Sequence, residues 1–445
     1  MKNLKKLSIF IFAAAAMVYM WSCEEGDDNV VRLNHDPSKP IEITGFTPDS
    51  GGLATRVVIS GSNFGSDVSK IRVWFNETRA PVISSNGNAI FVVTPRQPGD
   101  ENFISVVVGN DSAVFTDKMF LYQTMISVTT VAGRRGTGEF REGGTLSTVE
   151  FMNPSSLCID AEGNIFLSHW HQARTQFHFV VINEERDYVR LLFQGGDGFA
   201  LGAPTADRNG RVVVVPTDRF AGYISFDPEA QWAAKRTEIL QPTLDMRDEG
   251  IEGFGMPSGN WHKHGMAACV LTGFIYTRIH QRGQLVKFDP ITRYGQLVRM
   301  DEWNSDSFPY FDPNQPNILY LVLTQRHTIY YYDTLTEEFG IYAGNETPGH
   351  RDGDRLDAQF RNPRQITVDS DGNMYVADVD NHCIRMITPD GQVLTVLGKA
   401  GVRGYQDGNR EDALFDGPRG VAVDKDNNIY VADFANNVIR KLAVQ

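Results

Sequence analysis

The chain has 445 residues and a formal net charge of −13 at pH 7, because 55 acidic residues outnumber 42 lysines and arginines. This acidic balance favours solubility and argues against non-specific binding to nucleic acid, which we do not expect as a partner. Four cysteines are too few and too scattered for a disulfide framework. We therefore expect Cys158, Cys269 and Cys383 to be small buried apolar side chains.

The N-terminus has the pattern of a secretory signal. Lys2, Lys5 and Lys6 precede an apolar run at residues 7–20, which is too short and wrongly flanked for a membrane span. Cys23 directly follows this segment and resembles a bacterial lipoprotein cleavage site, although Met20 stands where leucine is usual. The resemblance implies lipidation at Cys23 and removal of residues 1–22, which would shift the net charge to −16 because three lysines leave.

An acidic run at residues 24–28 follows Cys23. It resembles the export signal that sends Bacteroidetes lipoproteins to the outside of the outer membrane, which implies a lipid-anchored protein facing the cell exterior. The alternative is an ordinary solvated linker behind an inner-leaflet anchor. Residues 23–38 are mostly polar and acidic and are predicted to form a flexible tether.

Residues 39–123 predict a compact all-β unit. Apolar or alternating runs at residues 41–46, 56–61, 70–75, 89–94, 104–108 and 115–122 are typical of short strands. The pattern TPxxG at residues 47–51 and the pattern GxNFG at residues 61–65 resemble the IPT/TIG immunoglobulin-like family. The resemblance implies a small β-sandwich that acts as a spacer or contact module.

The most informative pattern is a repeat near the C-terminal end. NPRQITVDSDGNMYVADVDNHCIRMI at residues 362–387 recurs 55 residues later as GPRGVAVDKDNNIYVADFANNVIRKL at residues 417–442, and a fainter copy lies at 153–170. Period-2 alternation broken by Asp, Asn and Gly is typical of antiparallel strands joined by tight turns. A repeat of this length indicates the blades of a β-propeller, whose strands are lettered A to D from the central channel outward.

The two strong copies resemble the NHL-repeat family, and three further blades are placed by pattern alone. The resulting landmarks of the turn between strands A and B are Gly163, Gly210, Gly273, Pro316, Gly372 and Asn427. We therefore predict an all-β chain, with the immunoglobulin-like sandwich followed by a six-bladed NHL-type propeller over residues 124–445. The segment 127–133 resembles an outer strand and is predicted to close the C-terminal blade, which leaves no open sheet edge.

The predicted ligand face is the rim where the B–C loops and the segments leading into strand A emerge, by analogy with other propellers. We expect Trp170 and Trp261 to stack on a ligand, with histidines and arginines around them: His169, His171, His262, His264, Arg219, Arg278 and Arg326. Indole rings stack on the apolar faces of sugars, and arginine pairs with carboxylate or sulfate. The expected ligand is a polysaccharide or oligosaccharide, which can be anionic; the alternative is rim packing without a ligand.

A metal site is a competing interpretation of the same histidines. His169 and His171 are two residues apart, as are His262 and His264, and such residues point the same way on an extended segment. The two pairs could complete a zinc shell. No His-Glu-x-x-His motif, phosphate-binding loop or nucleophile elbow accompanies them, and no cofactor or catalytic residue is predicted.

The whole arrangement resembles auxiliary surface proteins of Bacteroidetes polysaccharide-uptake systems. The resemblance implies non-catalytic capture of a glycan, with outer-membrane glycan-uptake proteins as partners and membrane contact through the lipid anchor only. Two alternatives stay open. One is a metal-assisted lyase or hydrolase on the same face, because some NHL-type propellers are zinc-dependent lyases. The other is a protein-interaction platform on the outer membrane.

Overall fold

The computed structural model describes residues 33–52, 55–95, 99–123, 126–136, 140, 144–171, 176–195, 201–217, 222–250, 252, 263–280 and 282–444. These residues form two units that divide between Gln123 and Thr124. Regular structure within them is almost entirely β-strand, apart from single-turn 3₁₀ helices and one short α-helix at Leu244–Asp248. The predicted all-β fold class is confirmed. No helix among the described residues is long and apolar enough to cross a membrane.

The first unit is a sandwich of a four-stranded and a five-stranded sheet. The strands are β1 (Glu42–Thr47), β2 (Ser50–Gly51), β3 (Arg56–Ser62), β4 (Ile71–Phe75), β5 (Thr78–Ala80), β6 (Val82–Ser85), β7 (Ala89–Val93), β8 (Glu101–Val108) and β9 (Asp111–Tyr122). One sheet has the order β1-β3-β7-β6 and the other β2-β9-β8-β4-β5. Alternate residues such as Val57, Ile59 and Val73 are buried in one core, as period-2 alternation predicts.

The turn after β3 explains the GxNFG pattern. A Cβ atom at Gly61 would lie 2.0 Å from a backbone oxygen of β1, so only glycine fits there. Asn63 adopts φ +62°, and its side-chain amide donates to the carbonyls of Asp36 and Lys39 at 2.9 and 2.7 Å. These bonds hold the end of the predicted tether against the sandwich. The described part of the predicted tether, residues 33–38, is thus joined to the sandwich through Asp36, and the flexible tether over residues 23–38 stays a prediction.

The second unit is a six-bladed propeller. It begins with β10 (Ile126–Gly133). Blade 1 consists of β11 (Met152–Ile159), β12 (Ile165–His171), β13 (Gln176–Asn183) and β14 (Tyr188–Gln194), and blade 2 of β15 (Thr205–Ala206), β16 (Val213–Pro216), β17 (Gly222–Phe226) and β18 (Ala234–Glu238). Blade 3 consists of β19 (Lys263–Ala268), β20 (Ile275–Ile279), β21 (Gln284–Phe288) and β22 (Gly295–Met300).

Blade 4 consists of β23 (Ser307–Phe311), β24 (Ile318–Leu323), β25 (Thr328–Asp333) and β26 (Phe339–Ala343). Blade 5 consists of the short outer strand β27 (Gly353–Asp354) with β28 (Pro363–Val368), β29 (Met374–Asp378), β30 (Cys383–Ile387) and β31 (Gln392–Leu397). Blade 6 consists of the short outer strand β32 (Gly408–Asn409) with β33 (Pro418–Val423), β34 (Ile429–Asp433) and β35 (Val438–Val444). The six A–B turns contain all six predicted landmarks.

The ring closes as the sequence predicts. β10 supplies the fourth strand of blade 6 by pairing antiparallel with β35, so that Ile126 lies opposite Val444 and Gly133 opposite Val438. β32 pairs with the other side of β10. Blade 6 is therefore built from both ends of the propeller sequence, which removes the open edge that β35 would otherwise present.

The described cysteines do not form disulfides with one another. Cys269 and Cys383 are buried, and Cys158 is half-buried. Burial raises the pKa of the Cys158 and Cys383 thiols far above their ordinary value, so these side chains behave as small apolar groups.

Candidate functional site

The B–C loops and the starts of the A strands lie at one edge of every blade, here called the B–C edge. On this edge, His264 of β19 and His280 after β20 converge on Asp306, which directly precedes β23. His280 Nδ1 is 3.0 Å and His264 Nε2 is 3.4 Å from the same oxygen, Asp306 Oδ1. The side chain of His264 is 27% exposed, that of His280 is 22% exposed and that of Asp306 is 20% exposed. We call these three residues the His–His–Asp cluster.

The carboxylate of the cluster is held in its ionised form. Burial acts to raise the pKa of Asp306, but the hydrogen bond from His280 and the charges of His264 and Arg364 lower it well below its ordinary value. The backbone N–H of Asp306 donates to the side-chain oxygen of Gln325 at 2.6 Å. The cluster thus combines two imidazoles with a fixed carboxylate that solvent can still reach.

Two arginines lie at the starts of A strands on the same edge. Arg364 and Arg419 occupy equivalent positions, directly after the first proline of β28 and of β33. The guanidinium carbon of Arg364 lies 4.5 Å from the ring centroid of Phe308, and that of Arg419 lies 3.4 Å from the ring centroid of Phe434. Both arginines are half-buried. Stacking on rings holds these cations in place.

Aromatic side chains pack together on the same edge at blade 4. The half-buried ring of Trp303 lies 5.0 Å from the ring of Tyr330, and the guanidinium carbon of Arg326 lies 4.0 Å from the Trp303 centroid. Arg326 also pairs with Glu346. The predicted clamp residue Arg326 is therefore on the rim, but its guanidinium already has a carboxylate partner. Trp303 is not among the predicted stacking residues, which are Trp170 and Trp261.

Arg278 does not reach the rim. Its side chain is fully buried and donates to Asp301 Oδ1 at 2.6 Å and Oδ2 at 3.1 Å. The remaining bonds go to the carbonyls of Ser305 at 2.9 Å and Trp303 at 2.6 Å. Arg278 therefore braces the loop that carries Asp306, and it is not a ligand clamp, because its donors are used inside the protein.

His169 is also inside the fold. It is fully buried, its Nδ1 donates to the carbonyl of Trp170 at 2.8 Å, and its ring lies 5.1 Å from Phe140 and 5.3 Å from His178. His169 thus packs in the core of blade 1 and does not contact a ligand at the rim. Trp170 itself is half-buried at the end of β12, with its ring centroid 3.8 Å from that of Phe177.

The other predicted site residues lie outside the described part of the chain. These are Arg219, Trp261 and His262, together with the side chain of His171 and the predicted lipidation site Cys23. The two-pair zinc arrangement therefore stays a prediction. The described residues instead join His264 to His280 and Asp306. His280 directly follows strand B of blade 3 and Asp306 directly precedes strand A of blade 4, so both lie on the edge that the sequence predicts as the ligand face.

A cavity of about 920 Å³ lies on the opposite edge, between blades 2 and 3. Its acidic groups serve local turns: Asp207 accepts the backbone N–H groups of Arg211 and Val212, and Asp289 accepts that of Ile291. Because these carboxylates are used by the fold, we take the B–C edge as the candidate site.

Comparison with protein families agrees with this architecture. Residues 40–122 match the IPT/TIG domain, and residues 360–385 and 415–442 match the NHL repeat. NHL repeat-containing protein 2 of Gallus gallus is 39% identical over 84 residues, which are 19% of this chain and 11% of that protein. Protein SUPPRESSOR OF QUENCHING 1, chloroplastic, of Arabidopsis thaliana is 29% identical over 92 residues, 21% of this chain and 9% of that protein. The chain spans only about a tenth of these relatives.

Solved structures share the fold over nearly the whole chain. An auxiliary nutrient binding protein from Bacteroides ovatus aligns with a TM-score of 0.66 at 23% identity, covering 93% of this chain and 100% of that one. An auxiliary nutrient binding protein from Bacteroides thetaiotaomicron aligns with a TM-score of 0.60 at 24% identity, covering 92% and 99%. A protein of unknown function from the same species aligns with a TM-score of 0.65 at 23% identity, covering 93% and 100%. The chain thus carries an IPT/TIG domain followed by a β-propeller with NHL repeats.

Proposed function

We propose that this protein binds a nutrient polysaccharide or oligosaccharide on the B–C edge of its propeller, without chemical conversion. The observation that carries the proposal is that half-buried Trp303, Arg364 and Arg419 lie on that same edge of the propeller, which also carries the His–His–Asp cluster. Aromatic faces stack on sugar rings, and guanidinium groups donate to hydroxyls, carboxylates or sulfates. Half-buried rings and cationic donors on one edge therefore suit a polar, ring-bearing ligand.

The comparisons support the nutrient-binding part of the proposal, since two structures of the same fold are described as auxiliary nutrient binding proteins. The glycan, the lipid anchor at Cys23, the outer-membrane location facing the exterior and partnership with glycan-uptake proteins are inferred from the sequence. Anchoring would raise the local concentration of captured polymer near an uptake partner. A protein that binds without catalysis could contribute to uptake in this way.

The proposal is tested by polysaccharide arrays and affinity gel electrophoresis of the full chain. We expect at least one glycan to retard the protein, and the double variant Arg364→Ala/Arg419→Ala to lose about ten- to a hundredfold in affinity. Arg211→Ala is the control, because Arg211 lies in an A–B turn on the opposite edge and pairs only with Glu229 at 3.4 Å among the described residues.

Salt dependence distinguishes charged from neutral glycans. Binding of an anionic glycan should weaken as salt rises, because charges at the rim are screened within about 8–10 Å at physiological ionic strength. Binding that does not change with salt would indicate a neutral glycan. Failure of every glycan to bind, or unchanged affinity in the double arginine variant, would contradict the proposed site.

A further inference from the structure

We propose that the His–His–Asp cluster is a binding site for a divalent transition metal such as Zn²⁺, with three protein ligands and one open coordination position. Among the described residues it is the one place where three ligand atoms of histidine, cysteine or acidic side chains all lie within 4.8 Å of one another. His264 and His280 come from blade 3 and Asp306 from the start of blade 4, so the tertiary structure assembles the site.

The distances within the cluster match those between the ligands of a tetrahedral metal. With metal–ligand bonds of about 2.0–2.1 Å, tetrahedral ligand atoms lie about 3.3 Å apart. The two imidazole nitrogens are 3.0 and 3.4 Å from Asp306 Oδ1. A metal can therefore replace the hydrogen bonds between these groups with only small rotations of the side chains.

The donor chemistry also fits zinc. Two neutral imidazoles and one carboxylate form a nitrogen and oxygen donor set of the kind that zinc takes in sites that retain an open position. Zinc with these three ligands carries one net positive charge, which leaves the fourth position suited to water, hydroxide or a carboxylate of the ligand.

The groups behind the cluster hold the carboxylate in place. Gln325 accepts the backbone N–H of Asp306, and the buried Arg278 binds the carbonyls of Ser305 and Trp303 in the same loop. Such support limits the reorganisation needed when a metal binds. Arg364 places a positive charge near Asp306, which opposes a bare cation and favours an anionic fourth ligand.

A matched histidine–aspartate pair elsewhere provides the control. His382 Nδ1 lies 3.5 Å from Asp416 Oδ1 in the equivalent region between blades 5 and 6, with side chains 22% and 30% exposed. This pair resembles two members of the cluster but is not part of a three-ligand group among the described residues. It should therefore not bind a metal with comparable affinity.

The test uses the full chain, free of any histidine tag, with Zn²⁺ followed by calorimetry and Co²⁺ followed by visible absorption. We expect one equivalent to bind and Co²⁺ to show the intense bands of four-coordination. His280→Asn, His264→Asn and Asp306→Asn should each weaken binding by at least about a hundredfold, whereas His382→Asn should leave it unchanged. Absence of stoichiometric binding in the wild type, or wild-type affinity in variants whose melting curves show a folded protein, would overturn the proposal.

Discussion

At the scale of single residues, the buried arginine and aspartate of the NHL-like motif pair with each other and stabilise the blade that contains them. The buried Arg385 donates to Asp378 at 3.0 Å in blade 5, and the equivalent Arg440 donates to Asp433 at 3.1 Å in blade 6. Both arginines are fully buried. Breaking such a pair is costly because the remaining charge is left without compensation in a dry interior. These residues therefore define the blade and are not available to a ligand.

Two equivalent histidines, His327 and His382, each link one blade to the next. His327 and His382 each adopt a left-handed backbone conformation after a 3₁₀ turn that follows strand B. The Nδ1 atom of His327 accepts the backbone N–H of Asn362, and that of His382 accepts the backbone N–H of Gly417, both at 3.1 Å. Each histidine thus fixes the start of the next blade, and this bond requires an unprotonated Nδ1.

The joint at His327 predicts a pH dependence of stability. Burial lowers the pKa of His327, an effect that the charge of Asp380 opposes only in part. Because its folded-state pKa lies below the unfolded value of about 6.5, the contribution to stability is present above pH ~6.5 and is lost as the pH falls through the folded-state pKa. The urea midpoint should therefore fall less between about pH 7.5 and pH 5.5 in His327→Gln than in the wild type. An equal decrease in both proteins would contradict this role.

Trp170 is predicted to contribute to glycan binding. It is half-buried against Phe177 on the B–C edge, so Trp170→Ala should weaken glycan binding by about ten- to a hundredfold. Trp232→Ala is the matched control, since Trp232 packs on the same core between blades 1 and 2 but follows the 3₁₀ turn Pro228–Ala230 at the opposite edge. Affinity gels and melting curves separate the effects. Similar losses of affinity in both variants would assign Trp170 to the core.

The sequence predicts the same loss of binding for Trp261→Ala.

At the scale of elements, the closing strand is the point at which the ring is most easily disrupted. The backbone N–H of Thr130 in β10 donates to Asp407 at 3.0 Å, and Asp407 also pairs with the buried Arg440. This carboxylate therefore links the first strand of the propeller sequence to the core of the last blade.

Thr130→Pro tests that link. Proline removes the N–H donor, and a lost hydrogen bond to a charged group costs on the order of 1–3 kcal/mol in the free energy of unfolding. Thr130→Ser keeps both the N–H and the hydroxyl, which lies 2.8 Å from the Tyr405 hydroxyl and 3.3 Å from Asp407, so its effect should be clearly smaller. Denaturant titrations of both variants give the comparison. Equal stability of the two would show that the closure does not depend on this bond.

At the scale of the whole molecule, the propeller contains its own closing strand, so residues 124–445 should fold without the IPT/TIG domain. The isolated propeller should give a β-rich circular dichroism spectrum and a cooperative melting transition. It should also bind the same glycan and the same metal as the full chain. A folded propeller that binds neither would place the binding site outside residues 124–445 or make it dependent on the first domain.

Membrane attachment depends on one residue in our proposal. Cys23→Ala should move the protein from the membrane fraction to the soluble fraction of the cell envelope, because a single lipidated cysteine supplies the attachment. Fractionation followed by immunoblotting measures this. Retention of the variant in the outer membrane would mean that another contact holds the protein there.

The sequence alone determined the fold class, the six blades and the ring closure. These features follow from local rules: period-2 alternation marks strands, and Gly163, Gly372 and Asn427 mark tight turns because left-handed backbone favours these residue types. Very short strands such as β5 and β6 were missed, since a run of three or four residues carries too little periodicity. The order of the segments was likewise sufficient to identify 127–133 as the strand that completes blade 6.

Only the tertiary structure decided which rim residues meet. Arg278 and Arg326 belong to predicted rim segments, yet one side chain is buried and the other half-exposed, because the direction of a side chain at the end of a strand depends on the neighbouring blade. The His–His–Asp cluster joins residues from two blades, and its distances depend on how those blades pack. Sequence spacing describes faces within one strand, whereas a site between blades is set by packing.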